Sequence, residues 1–264
     1  MNETTWKTAI SEIKPNEVRL RGFRIDELMG QVTFAQAIFL ALKGELPSTG
    51  VAKLLDAILV SSIDHGATPP STLAARIAVS TGAPLNAALA TGILSINRYH
   101  GAAIHDCMGV LEECLRLFNE TGVSMDIAAR ELLADYQNKK KRVAGFGHRI
   151  HTSDPRTAKL FSLAEELGVA DEGVAMIKAL RKAFLDSGKN LPINVDGAIA
   201  ALLIDLQMPR ELANAFFIMA RVPGLVAHIY EEQTRESPMR RIHPSDHVYD
   251  GPDPRDLTQM IRQL

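Results

Sequence analysis

The sequence predicts an all-α protein, and three observations carry that expectation. Apolar residues recur at helical spacing, most clearly at Leu160, Leu163, Ala164 and Leu167, which follow i, i+3, i+4, i+7. Alternating β patterns are nearly absent. The stretch "GAIAALLIDL", 197 to 206, is apolar on every side apart from Asp205, so it reads as a helix buried among other helices.

In chain order, helical segments are expected over 32 to 43, 51 to 64, 71 to 80, 84 to 97, 104 to 119 and 125 to 140. The next begins with Asp154 as N-cap and Pro155 in the first helical position, and Gly168 supplies its left-handed stop. Segments over 172 to 186, 197 to 206, 210 to 220 and 223 to 235 complete a set of ten or more. Glycine and proline punctuate them at "KGELPSTG", "DHGATPPS", "SGKNLP" and "RESPMRRIHPSDHVYDGPDP". The last stretch reads as an extended tail lying on a partner. No tandem repeat or low-complexity tract is visible.

The 264 residues suit one large domain or two unequal ones, since domains commonly hold about 100 to 200 residues. With 46% apolar and 23% charged residues and a net charge of −2, the composition is that of an ordinary globular protein and points to neither nucleic acid nor a membrane. The N-terminus lacks a cationic start followed by an apolar block, so a cytoplasmic location is expected. The longest apolar runs carry Lys, Asp or Arg, and none is expected to cross a bilayer. Cys107 and Cys114 lie two helical turns apart and are expected to be reduced, buried or half-buried thiols.

"GFGHRIHTSDPR", 145 to 156, concentrates the polar chemistry. Gly145 and Gly147 allow a backbone to approach a ligand, but no strand precedes them as a dinucleotide fingerprint requires. Arg156 sits in the first turn of its helix, where the macrodipole disfavours a cation unless an anion is near. It suits a carboxylate clamp, or equally a surface pair with Asp154 or Glu165. His148 has a side chain whose ordinary pKa of about 6.5 suits proton transfer, although a structural histidine is the commoner case. His65 is placed at a helix end before Gly66, where the dipole alone favours a histidine. His151 has no evident role.

His100 precedes Gly-Ala-Ala, small residues that leave space for a ligand. His105, Asp106 and Cys107 follow, but their spacing matches no HExxH or paired CxxC pattern, and no metal is expected. His243 and His247 lie in the Pro-rich tail and are not read as zinc ligands either. Asp196 in "LPINVDGAIAALL" stands at the start of the buried helix, as an N-cap or as a base whose pKa is set by desolvation against the dipole. Arg221 lies in an otherwise apolar stretch, where a buried guanidinium requires an anionic partner.

Taken together, "LRGFRIDELMGQVTFAQAIFLALKGELP", "DHGATPPSTLAAR", "YHGAA", "GFGHRIHTSDPR", "NVDG" and "MARVPGLVAHIYEE" resemble, in order, segments of the citrate synthase superfamily. The resemblance implies a homodimer of helical subunits with a large domain (1–105 and 208–264) and a small domain (106–207). It gives catalytic roles to His100 at a thioester oxygen, Asp196 at the methyl proton and His148 at a hydroxyl proton. His65, Arg156, Arg221 and His243 would bind substrate carboxylates, and Arg142, Gly145 and Gly147 would meet coenzyme A near the lysine run 139 to 141, which is equally accounted for as a solvated charge run. No prosthetic group is implied beyond coenzyme A as part of the substrate.

Three features, the short chain, "NVDGAIA" where synthases carry a bulkier stretch, and "RIHPSDHVY" where they carry Arg-Pro, resemble the branch of citryl-CoA lyases and the lyase module of ATP-citrate lyases. "DHG" in place of a longer "DHE"-type segment points the same way. The implied activity is cleavage of citryl-CoA to acetyl-CoA and oxaloacetate. The alternatives are a citrate synthase-type condensation, cleavage of a related 3-hydroxy-acyl-CoA, or a non-catalytic CoA-binding scaffold. Replacing the Arg-Pro arginine by His243 leaves one fewer fixed cation, which fits a substrate with two free carboxylates rather than three.

Overall fold

A computed structural model describes residues 6–147 and 154–240. The described residues hold a three-stranded sheet followed by helices. The sheet is antiparallel in the order β1 (Ser11–Lys14), β2 (Glu17–Leu20), β3 (Phe23–Arg24). It corrects the expectation that β pattern is nearly absent. Ile13 pairs with Val18 and Leu20 with Phe23, on the face opposite Glu12, Lys14, Glu17 and Arg19. Strands this short yield little periodicity. The signal lay instead in the turn residues, Pro15-Asn16 and then Arg21-Gly22, the latter with both φ positive as in a type I′ hairpin.

The helices are α1 (Ile25–Leu28), α2 (Phe34–Lys43), α3 (Thr49–Ser61), α4 (Pro70–Ser80), α5 (Leu85–Leu94) and α6 (Ala103–Thr121). They continue with α7 (Met125–Asn138), α8 (Pro155–Glu166), α9 (Glu172–Asp186), α10 (Val195–Asp205) and α11 (Ala213–Arg235). The ends expected for α8 are present: the Asp154 carboxylate accepts from the N–H of Arg156 at 3.0 Å, Pro155 is the first helical residue, and Gly168 has φ +65°.

Helices α6, α8 and α9 pack around α10, whose residues 197–203 are all buried, and α7 packs on α6 and α9. Asp205, the one polar residue noted in that stretch, accepts from the backbone N–H groups of Asp171, Gly173 and Val174 and so caps the start of α9. Helices α4, α5 and α11 pack together as a second group. Cys107 and Cys114 are both buried in α6. Burial holds both thiols up, that of Cys114 to about 12, so neither is a ready nucleophile.

Segments 210 to 220 and 223 to 235 are not two helices. After a 3-10 turn at Arg210–Leu212 they form the single helix α11, with Pro223 inside it. Proline removes one N–H and crowds the preceding turn. Burial of Phe216, Phe217, Ala220 and Arg221 before it, and of Gly224, Leu225 and Ile229 after it, outweighs that local cost. Contrary to the reading of its apolar runs, the stretch 210–235 is long and apolar enough to cross a bilayer by length and composition. In this fold it packs against α3, α4, α5 and α6, with Arg221 and Glu232 buried in protein.

Candidate active site

Between the two helical groups lies a cleft of about 620 Å³, whose lining includes His65, His100, Gly147, Arg156, Asp196 and Arg221. His65 and Arg221, 156 positions apart in sequence, are thereby brought to one space. His148 and His243, and also His151, lie outside the described residues. Arg142 is exposed and away from the lining.

Asp196 is delivered by backbone contacts. The N-cap of α10 is Asn194, whose side chain accepts from the N–H of Gly197 at 3.0 Å, and not Asp196 itself. Asp196 therefore stands in the first turn of α10 rather than at its cap. The chain at 145–147 runs alongside 192–194. Asn194 N–H donates to Gly145 O at 3.1 Å, Gly147 N–H donates to Pro192 O at 2.7 Å, and the Asn194 amide donates to Gly147 O at 2.9 Å. A Cβ on Gly197 would sit 2.3 Å from Gly145 O, and one on Gly145 would sit 2.5 Å from Cys107 Sγ. The freedom of Gly145, read from sequence as room for a ligand, is thus used to seat this loop on α6 and α10.

His100 ends a turn closed by its own N–H on Asn97 O at 2.9 Å. Its Nε2 lies 2.9 Å from Oγ of the buried Ser71, and its ring meets Phe217 edge-on at 5.9 Å. Burial, then the neighbouring Arg221 and His65, push its pKa below the usual value. The imidazole is therefore neutral at neutral pH, and a neutral imidazole retains one N–H to donate. Sequence reasoning missed Ser71; the signal was its place, the first residue after the Pro-Pro of "ATPPS", in the first turn of a helix leading from the cleft.

Arg221 and Arg156 both hold the C-terminal end of α3. Arg221 Nε donates to Ser62 O at 3.1 Å and Arg156 Nη1 to Ser61 O at 3.3 Å, satisfying carbonyls that a helix end leaves unpaired. Arg156 is also paired in a bidentate manner with the buried Asp154, at 3.0 and 2.8 Å, so the local pair considered from sequence is present even though Arg156 faces the cleft. Arg221 is 2% exposed, and no carboxylate is bonded to it among the described residues. Its guanidinium stacks on Phe217 at 4.7 Å, and its buried Nη1 has no hydrogen-bond partner. A buried cationic N–H left unmade is costly, and a ligand carboxylate is the group that would satisfy it.

His65 is not at a helix end. The helix α3 stops at Ser61, and His65 lies in the exposed loop that follows, next to Asp64. Among the described residues no group of three or more His, Cys, Asp or Glu is arranged to hold a metal ion.

These features define a helical protein whose cleft sets a carboxylate at a helix start against a neutral imidazole, with guanidinium groups at one end. The chain belongs to the citrate synthase family: the family described as "Citrate synthase, C-terminal domain" matches residues 47–245. It is 30% identical over 195 residues to a citrate synthase of Haloferax volcanii, covering 72% of this chain and 49% of that one. It is 27% identical to a 2-methylcitrate synthase of Shewanella oneidensis, over 89% and 60% of the two chains. The chain thus spans about half the length of the curated relatives it matches. Among solved structures, a citryl-CoA lyase from Hydrogenobacter thermophilus superposes with a TM-score of 0.88 at 39% identity, covering 97% of this chain and 99% of that one. An ATP citrate lyase from Methanothrix soehngenii gives 0.80 at 23% identity, covering 96% of this chain and 43% of that one, which is a likeness of fold.

Proposed function

We propose that this protein is a citryl-CoA lyase, cleaving citryl-CoA to acetyl-CoA and oxaloacetate. The observation that supports it most is the near end-to-end match, at 39% identity, with a citryl-CoA lyase chain, whereas the synthase relatives match over about half their length. The cleft supports it chemically. Arg221, with an unmatched buried N–H, suits one substrate carboxylate, and Arg156 and His65 line the same end.

In cleavage, His148 accepts the tertiary hydroxyl proton and the C–O oxygen becomes the ketone of oxaloacetate as the C–C bond breaks. The bonding pair passes into the acetyl-CoA enolate, whose oxygen receives the N–H of neutral His100, and the carboxyl of Asp196 delivers a proton to the methylene carbon. Arg142 and Gly147 would meet the CoA portion, and Gly145 would act by holding that loop; His243 would complete the carboxylate site. No prosthetic group or metal takes part.

We extend the reading to a cytoplasmic homodimer with a large domain (1–105 and 208–264) and a small domain (106–207) that close on the substrate. Leu73 and Ile77 of α4, with Leu85 and Leu94 of α5, are large apolar side chains left exposed, which supports a subunit contact there.

The family match to citrate synthases favours a second reading, condensation followed by thioester hydrolysis. The two part on free CoA. Incubation with citryl-CoA is expected to release oxaloacetate with no free thiol, and steady thiol release from acetyl-CoA plus oxaloacetate would replace the lyase assignment by a synthase.

A further inference from the structure

Three positions on one stripe of α11, Arg221, Gly224 and His228, follow i, i+3, i+7 spacing and face the loop that carries His65. Each grips a successive residue of that loop. Arg221 Nε donates to Ser62 O at 3.1 Å. At Gly224 the helix comes so close that a Cβ would lie 2.3 Å from Ile63 O and 3.1 Å from Asp64 Oδ1. His228 Nε2 stands 3.1 Å from the same Asp64 oxygen, and because a carboxylate only accepts, Nε2 carries the proton.

Asp64 is consequently used on both sides. Its Oδ1 is engaged by His228, and its Oδ2 accepts from the N–H of Gly66 at 2.9 Å, a turn that brackets His65. Burial opposes its ionisation, but the backbone N–H groups of Gly66 and His65, together with His228, outweigh that and hold the carboxyl below its usual range. It is an anion at neutral pH. Of the carboxylates around Arg221, Asp64 exerts the strongest attraction, ahead of Asp196. Yet Arg221 Nη1, buried on the same stripe, makes no hydrogen bond. The anion that attracts the arginine most strongly is therefore tied down by a histidine two turns along the helix.

We propose that His228 is a positioning residue that holds Asp64 off Arg221, keeping Nη1 for a carboxylate of the substrate and fixing the turn that presents His65. The inference deepens the lyase reading above and rests on its placement of a substrate carboxylate at Arg221. Without a donor at 228, Asp64 swings toward the buried guanidinium, the internal pair forms, and the incoming carboxylate must compete with it. The chemical step, which belongs to other residues, is left intact.

The test pairs two amides of equal polarity and different reach. A Gln amide nitrogen falls where Nε2 of histidine lies, whereas that of Asn falls short. His228→Asn is expected to weaken oxaloacetate binding, read by calorimetry and as KM in the condensation direction, by about tenfold. Its kcat should stay within about twofold and its melting temperature close to wild type. His228→Gln should restore the affinity. Asp64→Asn added to His228→Asn, which removes the charge that would capture Arg221, should recover part of the loss. Equal affinity in wild type and His228→Asn overturns the proposal, and so does a loss relieved by neither His228→Gln nor the added Asp64→Asn. A wild-type protein that binds no oxaloacetate overturns the functional reading and this inference with it, whereas binding unaffected by His228→Asn leaves the functional reading standing alone.

Discussion

The two walls of the cleft are built by different physics. On one, Asp196 is placed by neutral contacts: Gly197 against Gly145, an Asn194 cap, and backbone hydrogen bonds between 145–147 and 192–194. On the other, the loop after α3 and the end of α11 are placed by charge. Arg221 and Arg156 hold the α3 carbonyls, His228 holds Asp64, and the buried Glu232 carboxylate takes Arg76 at 2.6 Å and Arg240 in a bidentate pair at 2.7 Å. A proton carrier has to be set to a fraction of an ångström, and steric backbone contacts do that without regard to pH. A carboxylate grip needs fixed positive charge, and charge is easiest to place with charge.

Asp196→Asn separates chemistry from architecture on the first wall. The amide keeps the size of the side chain but cannot exchange a proton with carbon, so turnover should fall by about 10³-fold with the melting temperature nearly unchanged. Citryl-CoA turnover surviving in this variant would remove Asp196 from the proposed mechanism. Next in size, Gly197→Ala attacks the architecture itself, because the added methyl meets a backbone oxygen at 2.3 Å that has no flexible end to move. A stability loss of about 3 kcal/mol is expected in urea unfolding, equal at pH 7 and pH 5. A variant as stable as wild type would show that the two glycines do not set the wall.

Glu232→Gln is the matching break on the charged wall. Removing one partner of a buried pair costs about 3 to 5 kcal/mol, and here about 2 is expected because the amide oxygen still accepts from the arginines. The hydrogen bond from Arg240 is the largest influence on Glu232. With Arg76 it outweighs burial and holds the carboxyl below its ordinary value. The stability it gives is therefore complete above about pH 4.5 and fades as pH falls through the depressed value. Wild type and Glu232→Gln should converge in stability at low pH, whereas wild type and Gly197→Ala should stay apart. Parallel curves for both variants would erase the distinction between the walls.

The same distinction decides how much was legible in the sequence. The helices, the caps of α8 and the buried α10 follow from local pattern, and the residues that define the family stand in short contiguous motifs. His65, His100, Arg156, Asp196 and Arg221 do meet in one cleft. What escaped was relational. Ser71 matters because of His100, 29 positions away, and His228 because of Asp64, 164 positions away. No periodicity carries such pairings. The Arg156–Asp154 pair, in contrast, is local and was foreseeable. Pro223 misled because a local rule argued for a break that tertiary burial overrides, and the β-sheet was hidden by strands of two to four residues.

Ser71→Ala gives the smallest effect and probes the seam between the walls, since Ser71 belongs to α4 on the charged side while His100 shares the cleft lining with Asp196. Losing one hydrogen bond of about 1 kcal/mol should lower kcat about fivefold and leave the fold intact. Burial, Arg221 and His65 keep the imidazole pKa depressed in either form. A histidine with a lowered folded pKa resists protonation in the native state but not in the unfolded chain. Its effect on stability is absent above about pH 6.5, grows as a destabilisation while pH falls toward the folded value, and levels off below it. Ring resonances of His100 followed by NMR should accordingly titrate below pH 6.5 in wild type. Titration above that value would mean that His100 enters the reaction as a cation, and the neutral donor at the enolate oxygen would have to be abandoned.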